Sequence, residues 1–223
     1  MTHVVHPYVH RIGIIRDWKS HWFADKGQYQ DFLRGDVLLV DFLTKRLRGM
    51  YVADIHIERN EKTMRVIIKT SRPGVVIGRS GEGAAKLKAD LFKEAKSKKI
   101  ELPKEVRIDV EEIRLPESNA SLVGQMVAEG LERRMPFRRV MKQMIEKVMA
   151  NRDVKGARIV VSGRLGGAEM SRKEQVKKGS IPLQTFRADI DYAREKAYLP
   201  YGVIGIKVWI NKGEVFDKEK TKN

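Results

Sequence analysis

Several short stretches of this sequence combine residue types that could do chemistry. In GVVIGRSGEG (Gly74–Gly83), Gly78 and Gly81 bracket Arg79 and Ser80 just ahead of a helix-like run. Neither glycine carries a Cβ, so a sugar–phosphate backbone could approach the main-chain amides, and helix N-termini favour anions. A nucleotide-binding loop would need G-x-x-x-x-G-K-[ST], and neither its Lys nor its Ser/Thr stands in register here. In ERRMPFRRVMKQM, Arg138, Arg139 and Lys142 fall at i, i+1 and i+4 of a helical pattern. Bases so placed make a phosphate grip or an ordinary solvated face. SGRLGGAEMSR (Ser162–Arg172) could be a second phosphate cradle. It follows a strand and lacks flanking helices, so a glycine-rich hairpin turn is the plainer reading. Metal chemistry has thinner support. His3, His6 and His10 lie in an arm with no helix to present them together, and Asp189 and Asp191 of ADIDY share one face of an extended chain. That pair could hold a nuclease metal or serve as salt-bridge partners for nearby bases, and nothing supplies a base or third ligand. No catalytic residue, metal or cofactor is expected.

The overall charge favours the phosphate readings. Lys and Arg number 45 against 29 Asp and Glu, a net charge of +16 over 223 residues, which is the footprint of a polyanion binder. Acidic lipid fits less well, because the bases are spread along the chain and form no single basic amphipathic helix. Hydrophobic residues make up 42%, enough for one large core or two modest ones. The absence of cysteine excludes disulfide frameworks and thiolate zinc sites and is compatible with a reducing compartment. No stretch approaches the roughly 18 apolar residues of a membrane span, and the first residues lack a signal-peptide core. A soluble, cytoplasmic protein is expected, with no membrane and no small-molecule substrate.

Positioning these residues requires two folded parts. An arm, residues 1–27, has neither helical nor strand period, and its Trp18, Trp22 and Phe23 need a surface to pack on. From Gln28 a helix is predicted to end at Gly35, with Asp36 capping a second one through Leu39, Phe42, Leu43 and Leu47 until Gly49. Alternation predicts a hairpin of Tyr51–Arg59 and Thr63–Thr70. Pro73 starts a short helix, the glycine pair interrupts, a longer helix carries Ala84, Leu87, Leu91 and Ala95 on one face, and EVRIDVEEI is a strand. The first part thus spans 28–113. Pro116 marks the boundary, and Ser118 or Asn119 can cap a helix running to about Arg134. Phe137, Val140, Met141, Met144, Ile145 and Val148 then form a stripe that leaves Arg138, Arg139 and Lys142 off it. ARIVVSG, SIPLQTFRADIDYA and GVIGIKVWINKG complete the second part, 114–216, as strands, before a solvated tail, 217–223. The fold class is α+β: a type II KH pattern, with GRSG at its loop, followed by two helices on an antiparallel sheet.

The segments VHPYVHRIGIIRDWKSHWFA, RPGVVIGRSGE, LERRMPFRRVMK, VSGRLGGAEMSR, RADIDYA and YGVIGIKVWINKGE, in this order and over nearly the whole chain, resemble the bacterial small ribosomal subunit protein three family. The resemblance implies an RNA-binding component of the small-subunit head with an N-terminal KH domain and a C-terminal α+β domain. It implies small-subunit rRNA, mRNA and the neighbouring small-subunit proteins ten and fourteen as partners. It places Gly78, Arg79, Ser80 and Gly81 at an RNA-gripping loop that clamps single-stranded nucleic acid. It puts Arg138, Arg139 and Lys142 where incoming mRNA is met and unwound, and adds Arg164, Arg172 and Arg11 as rRNA contacts. The family usually carries a second base in the glycine loop where Ser80 stands, and larger residues at Gly83 and Ala84, so a weaker charge grip is expected there. HPYVH replaces the usual HPNGI, and contacts of that turn are not carried over. A free KH-domain regulator of transcripts would not need SGRLGG or YGVIGIKVWI.

Overall fold

The computed structural model describes residues 6–60, 63–100, 102–103 and 105–216. The tail and His3 lie outside them. Two compact units emerge: residues 18–114 form one, and residues 6–17 join 115–216 in the other.

The first unit contains β1 (Ser20–His21), α1 (Lys26–Arg46), β2 (Val52–Arg59), β3 (Thr63–Thr70), α2 (Pro73–Ile77), α3 (Glu82–Ser97) and β4 (Glu105–Glu112). The sheet runs β1-β2-β3-β4. The β2–β3 pair is the antiparallel hairpin, whereas β4 lies parallel to β3, Thr63 facing Glu105, so the segment carrying α2 and α3 serves as the crossover. Leu39, Leu43 and Leu47 of α1 and Leu87 and Leu91 of α3 pack on Ile57, Met64, Val66, Ile68 and Val106.

The expected break at Gly35 does not occur, and α1 is one continuous helix. Gly35 is buried, and a Cβ there would sit 2.9 Å from Ile100 Cγ2. Asp36 caps nothing. Its buried carboxylate accepts from Arg59 Nη2 at 2.8 Å and from the Trp22 indole N–H at 2.6 Å. Burial raises the Asp36 carboxyl above its usual value, against the pull of Arg59 and Trp22. Glycine inside a helix costs about 1 kcal/mol relative to alanine. Here it gives Ile100 and Arg59 room to come in. Trp22 also meets the rings of Tyr29 and Phe32, so this stretch of the expected arm lies on α1.

The second unit contains α4 (Ala120–Glu132), α5 (Phe137–Ala150), β5 (Gly156–Gly163), β6 (Arg172–Gly179), β7 (Ala188–Leu199) and β8 (Gly202–Glu214). The sheet order is β6-β5-β8-β7, antiparallel throughout. The Asn119 side chain caps α4 by accepting from the Ser121 and Leu122 amides. Val123, Val127 and Leu131 of α4 and Val140, Met141, Ile145 and Val148 of α5 cover Ala157, Ile159, Val161, Ile206, Val208 and Ile210 on one face of the sheet. At one end of the opposite face, Val160, Ile190 and Trp209 meet Ile181 and Leu183. The expected strand from Ser180 begins only at Ala188, and β6 is an element the sequence did not announce.

Candidate nucleic-acid interface

The glycine loop joins α2 to α3 with tight backbone geometry. Gly78 has φ +72°, Ser80 φ +51° and Gly81 φ +81°. A Cβ on Gly78 would lie 2.9 Å from the Gly83 amide nitrogen, and one on Gly83 would lie 2.6 Å from the Val76 carbonyl oxygen. A Cβ on Gly81 would meet open space, so that glycine answers to its left-handed φ alone. The glycines are therefore explained inside the protein, by α2 packed against the start of α3. Gly83, expected as a loss of grip, is what allows that packing. Arg79 and Ser80 are exposed, flanked by the unusually exposed Val75 (55%) and Ile77 (39%). Arg72 lies 4.4 Å over the Tyr51 ring. A tight glycine loop with one exposed Arg beside apolar side chains suits a single strand whose bases are splayed out. Glu82, in the first turn of α3, moderates the charge.

On α5, the expected stripe is inside: Val140, Met141, Ile145 and Val148 are buried, Phe137 and Met144 partly so, and Arg138, Arg139 and Lys142 are exposed. The packing of α5 near β6 brings together residues from two separate motifs. Arg138 donates from Nε and Nη2 to the two carboxylate oxygens of Glu174, each at 3.1 Å, and Arg172 Nε lies 3.5 Å from Glu174 Oε1. Both guanidiniums also approach the Phe137 ring, Arg138 at 5.6 Å and Arg172 at 5.5 Å from its centre. The hydrogen bond from Arg138 holds the Glu174 carboxyl below its usual value and raises the Arg138 guanidinium in return. Among the described residues, Arg139 and Lys142 have no ion-pair partner. Two free cations thus stand beside two held by one carboxylate. Glu174 escaped the sequence reading because β6, RKEQVKKG, shows a single apolar residue, Val176, and no strand alternation to draw attention to it.

The remaining candidates do not join this patch. Arg164 braces its own loop, donating to the carbonyls of Ala168 at 2.9 Å and Tyr201 at 3.3 Å while staying exposed. Its segment links antiparallel β5 and β6, with Gly166 and Gly167 at positive φ, as a glycine-rich hairpin connection does. Arg11 must be corrected. It is fully buried, and its guanidinium donates to the carbonyls of Pro7, Pro182, Leu183, Thr185 and Ala188. Desolvation holds it below its usual value, and no part of it faces outward to meet RNA. The carboxylates of the ADIDY pair have separate partners: Asp189 binds Arg16 at 2.7 Å, and Asp191 accepts from the Ala120 amide at 2.8 Å. His6 and His10 pack against Tyr192 and Phe186. No cluster of three metal-ligating side chains exists among the described residues.

Comparison with known proteins gives this geometry a lineage. Residues 39–118 match the KH domain family, and residues 127–210 match the family described as ribosomal protein S3, C-terminal domain. The chain is 47% identical to small ribosomal subunit protein uS3 of Pseudomonas paraeruginosa over 215 residues, covering 96% of this chain and 91% of that one. The chain belongs to the small ribosomal subunit protein uS3 family. The uS3 protein of Coxiella burnetii is 46% identical over the same shares, and that of Nitrosococcus oceani 44% identical over 98% of this chain and 94% of its own. As a uS3 family member the chain is a ribosomal structural protein and not an enzyme, with an RNA-binding KH domain ahead of a C-terminal uS3 domain. No helix among the described residues is long and apolar enough to cross a membrane.

Proposed function

We propose that this chain is built into the head of the small ribosomal subunit in the cytoplasm, where it binds rRNA and contacts mRNA as it enters. Arg138, Arg139 and Lys142 hold separated strands by charge while the ribosome draws mRNA inward, and no nucleotide is hydrolysed by this chain. The observation that carries the reading is the exposed cationic row on α5, fixed in direction by the buried stripe behind it. Gly78, Arg79, Ser80 and Gly81 form the second RNA contact, Arg172 lies beside the first, Arg164 makes a separate rRNA contact from its own loop, and small-subunit proteins ten and fourteen are the expected neighbours.

Each phosphate neutralised by a single-strand contact contributes a salt slope of about −0.7. Reversing Arg139 and Lys142 to Glu is expected to slow reconstituted ribosomes through a stable mRNA hairpin while leaving unstructured messages unaffected. Unchanged speed through the hairpin would overturn the unwinding role. Sucrose-gradient fractionation of lysate tests the assembly itself. Comigration with the small subunit supports it, and persistence in the soluble fraction under conditions that preserve ribosomes refutes it.

A further inference from the structure

The two sheets treat their helix-free faces in opposite ways. On the first sheet, acids and bases are interleaved and paired: Lys19 with Asp54 at 2.6 Å, Arg65 with Glu58 and Asp109, Lys69 with Glu111 at 3.8 Å, and Arg107 with Glu105 at 2.6 Å. That face neutralises itself. On the second sheet, Ile159, Val161, Val176, Val208 and Ala197 pack with the helices. Strand alternation therefore sends Arg158, Lys173, Lys177, Arg194, Lys196 and Lys207 to the other side. Arg158 is half-buried and the other five are exposed. The acids of these strands point elsewhere. Glu174 binds Arg138, Asp191 caps the Ala120 amide, and Glu195 lies against Gly124 and Ser121 of α4. Asp189 and Glu214, both close to the β7–β8 register shift, are engaged by Arg16 and Arg187.

Register makes the arrangement harder to explain as solvation. Arg158 stands directly opposite Lys177, and Lys207 directly opposite Arg194. Like charges placed so are destabilising. Among the described residues no carboxylate lies within ion-pair distance of any of the six. A sheet that keeps such pairs needs counter-charge from outside. Four strands at about 4.8 Å spacing span roughly 15 Å, wide enough to meet several phosphates at once.

The face also lacks what a single-strand binder needs. Trp209 is only 8% exposed and lies under the Arg158 guanidinium at 5.1 Å, and Tyr192 packs tilted on Trp209 at 5.1 Å. Tyr198, which alternation puts on this face at the end of β7, is 52% exposed, but among the described residues no second exposed ring of the four strands joins it. Successive bases thus have no series of rings to stack on, and recognition falls to backbone phosphates and shape, as in double-stranded RNA binding. We infer that the helix-free face of β5–β8 docks the phosphate backbone of an RNA duplex, centred on Lys207 and Arg194. The inference rests on the proposed function only for the class of partner, RNA, and names a surface apart from the glycine loop and α5.

The test uses the full chain with two probes, a 16-base-pair RNA duplex and a 16-nucleotide oligouridine. Arg194→Glu places an acid opposite Lys207, so the melting temperature should hold or rise while duplex affinity falls about tenfold and the salt slope flattens by about 0.9 for each phosphate that is no longer neutralised. Lys173→Gln with Lys177→Gln should weaken the duplex in the same direction, and oligouridine binding should barely change in either variant. Unchanged duplex affinity in both overturns the inference, as does an equal loss for the two probes. Arg79→Glu with Arg139→Glu serves as the separate control. If it leaves oligouridine binding intact, the reading of the loop and α5 fails, while loss confined to duplex in the sheet variants still supports this face.

Discussion

At the scale of single residues, two opposed effects can be weighed at Gly83. Helix propensity says that alanine should stabilise the first turns of α3 by about 1 kcal/mol. Packing says otherwise, because the new Cβ would fall 2.6 Å from the Val76 carbonyl oxygen and 2.8 Å from that of Ile77, and main-chain atoms cannot swing aside as a side chain can. Overpacking of this kind typically costs about 1–3 kcal/mol, so Gly83→Ala is expected to lower the denaturant midpoint of the first unit and to shift the amide resonances of Gly78–Gly81. A stabilised variant with an unmoved loop would show that α2 and α3 have slack. Asp54 offers a prediction in pH. Burial raises its carboxyl, but the hydrogen bond with His56 and the charge of Lys19 outweigh that and hold it below the usual aspartate value. A group depressed in the folded state stabilises fully above its unfolded value and loses that contribution as pH falls through the folded one. Stability at neutral pH should therefore drop on Asp54→Asn, and the acid limb of the stability–pH curve should become shallower; superimposable acid limbs would refute this.

Elements with strong periodicity were legible in the sequence. The hairpin, α3 and α5 follow the two-residue and 3.6-residue patterns of Ile55 and Ile57, Leu87 and Leu91, and Val140 to Val148, because each of these side chains reaches a core that its own neighbours help to define. Where structure depends on distant partners, local pattern failed. Gly35 and Asp36 look like helix punctuation, and only Ile100 and Arg59 turn them into helix interior. β6 exists because residues 172–179 pair with β5, and its charged sequence says nothing of that. The candidate site divided in the same way: the bases of α5 were readable, whereas their connection to Arg172 through Glu174 belongs to the α5–β6 junction. That junction can be tested as an element. Glu174→Gln should leave stability almost unchanged, since solvent screens these pairs. It should also free two guanidiniums, so oligouridine affinity should rise and its salt dependence steepen. Weaker binding at unchanged stability would mean that the carboxylate positions Arg138 and Arg172 for RNA and does more than screen them.

For the whole molecule, order along the chain and order in space diverge. Residues 6–17 precede the first unit in sequence yet belong to the second, where Arg11 ties the carbonyls of Pro7, Pro182, Leu183, Thr185 and Ala188 together from within. A basic residue near the N-terminus of a chain with net charge +16 invites an RNA-facing role, and burial is what removes it from that role. Its side chain replaces hydrogen bonds that segment 182–188 cannot make to a strand, since β7 starts only at Ala188. Each buried acceptor left without a donor costs about 1–3 kcal/mol, so Arg11→Met should destabilise by several kcal/mol even though the apolar volume is largely kept. The damage should fall on the distant part of the chain. Hydrogen exchange should accelerate in β7 and β8 and in segment 181–187, while α1, β2 and β3, adjacent in sequence, keep their protection. Deleting residues 1–17 should reproduce the same map. Uniform loss of protection across both units, or loss confined to residues 18–114, would show that the N-terminal segment serves the first unit instead and would contradict the division of the chain described here.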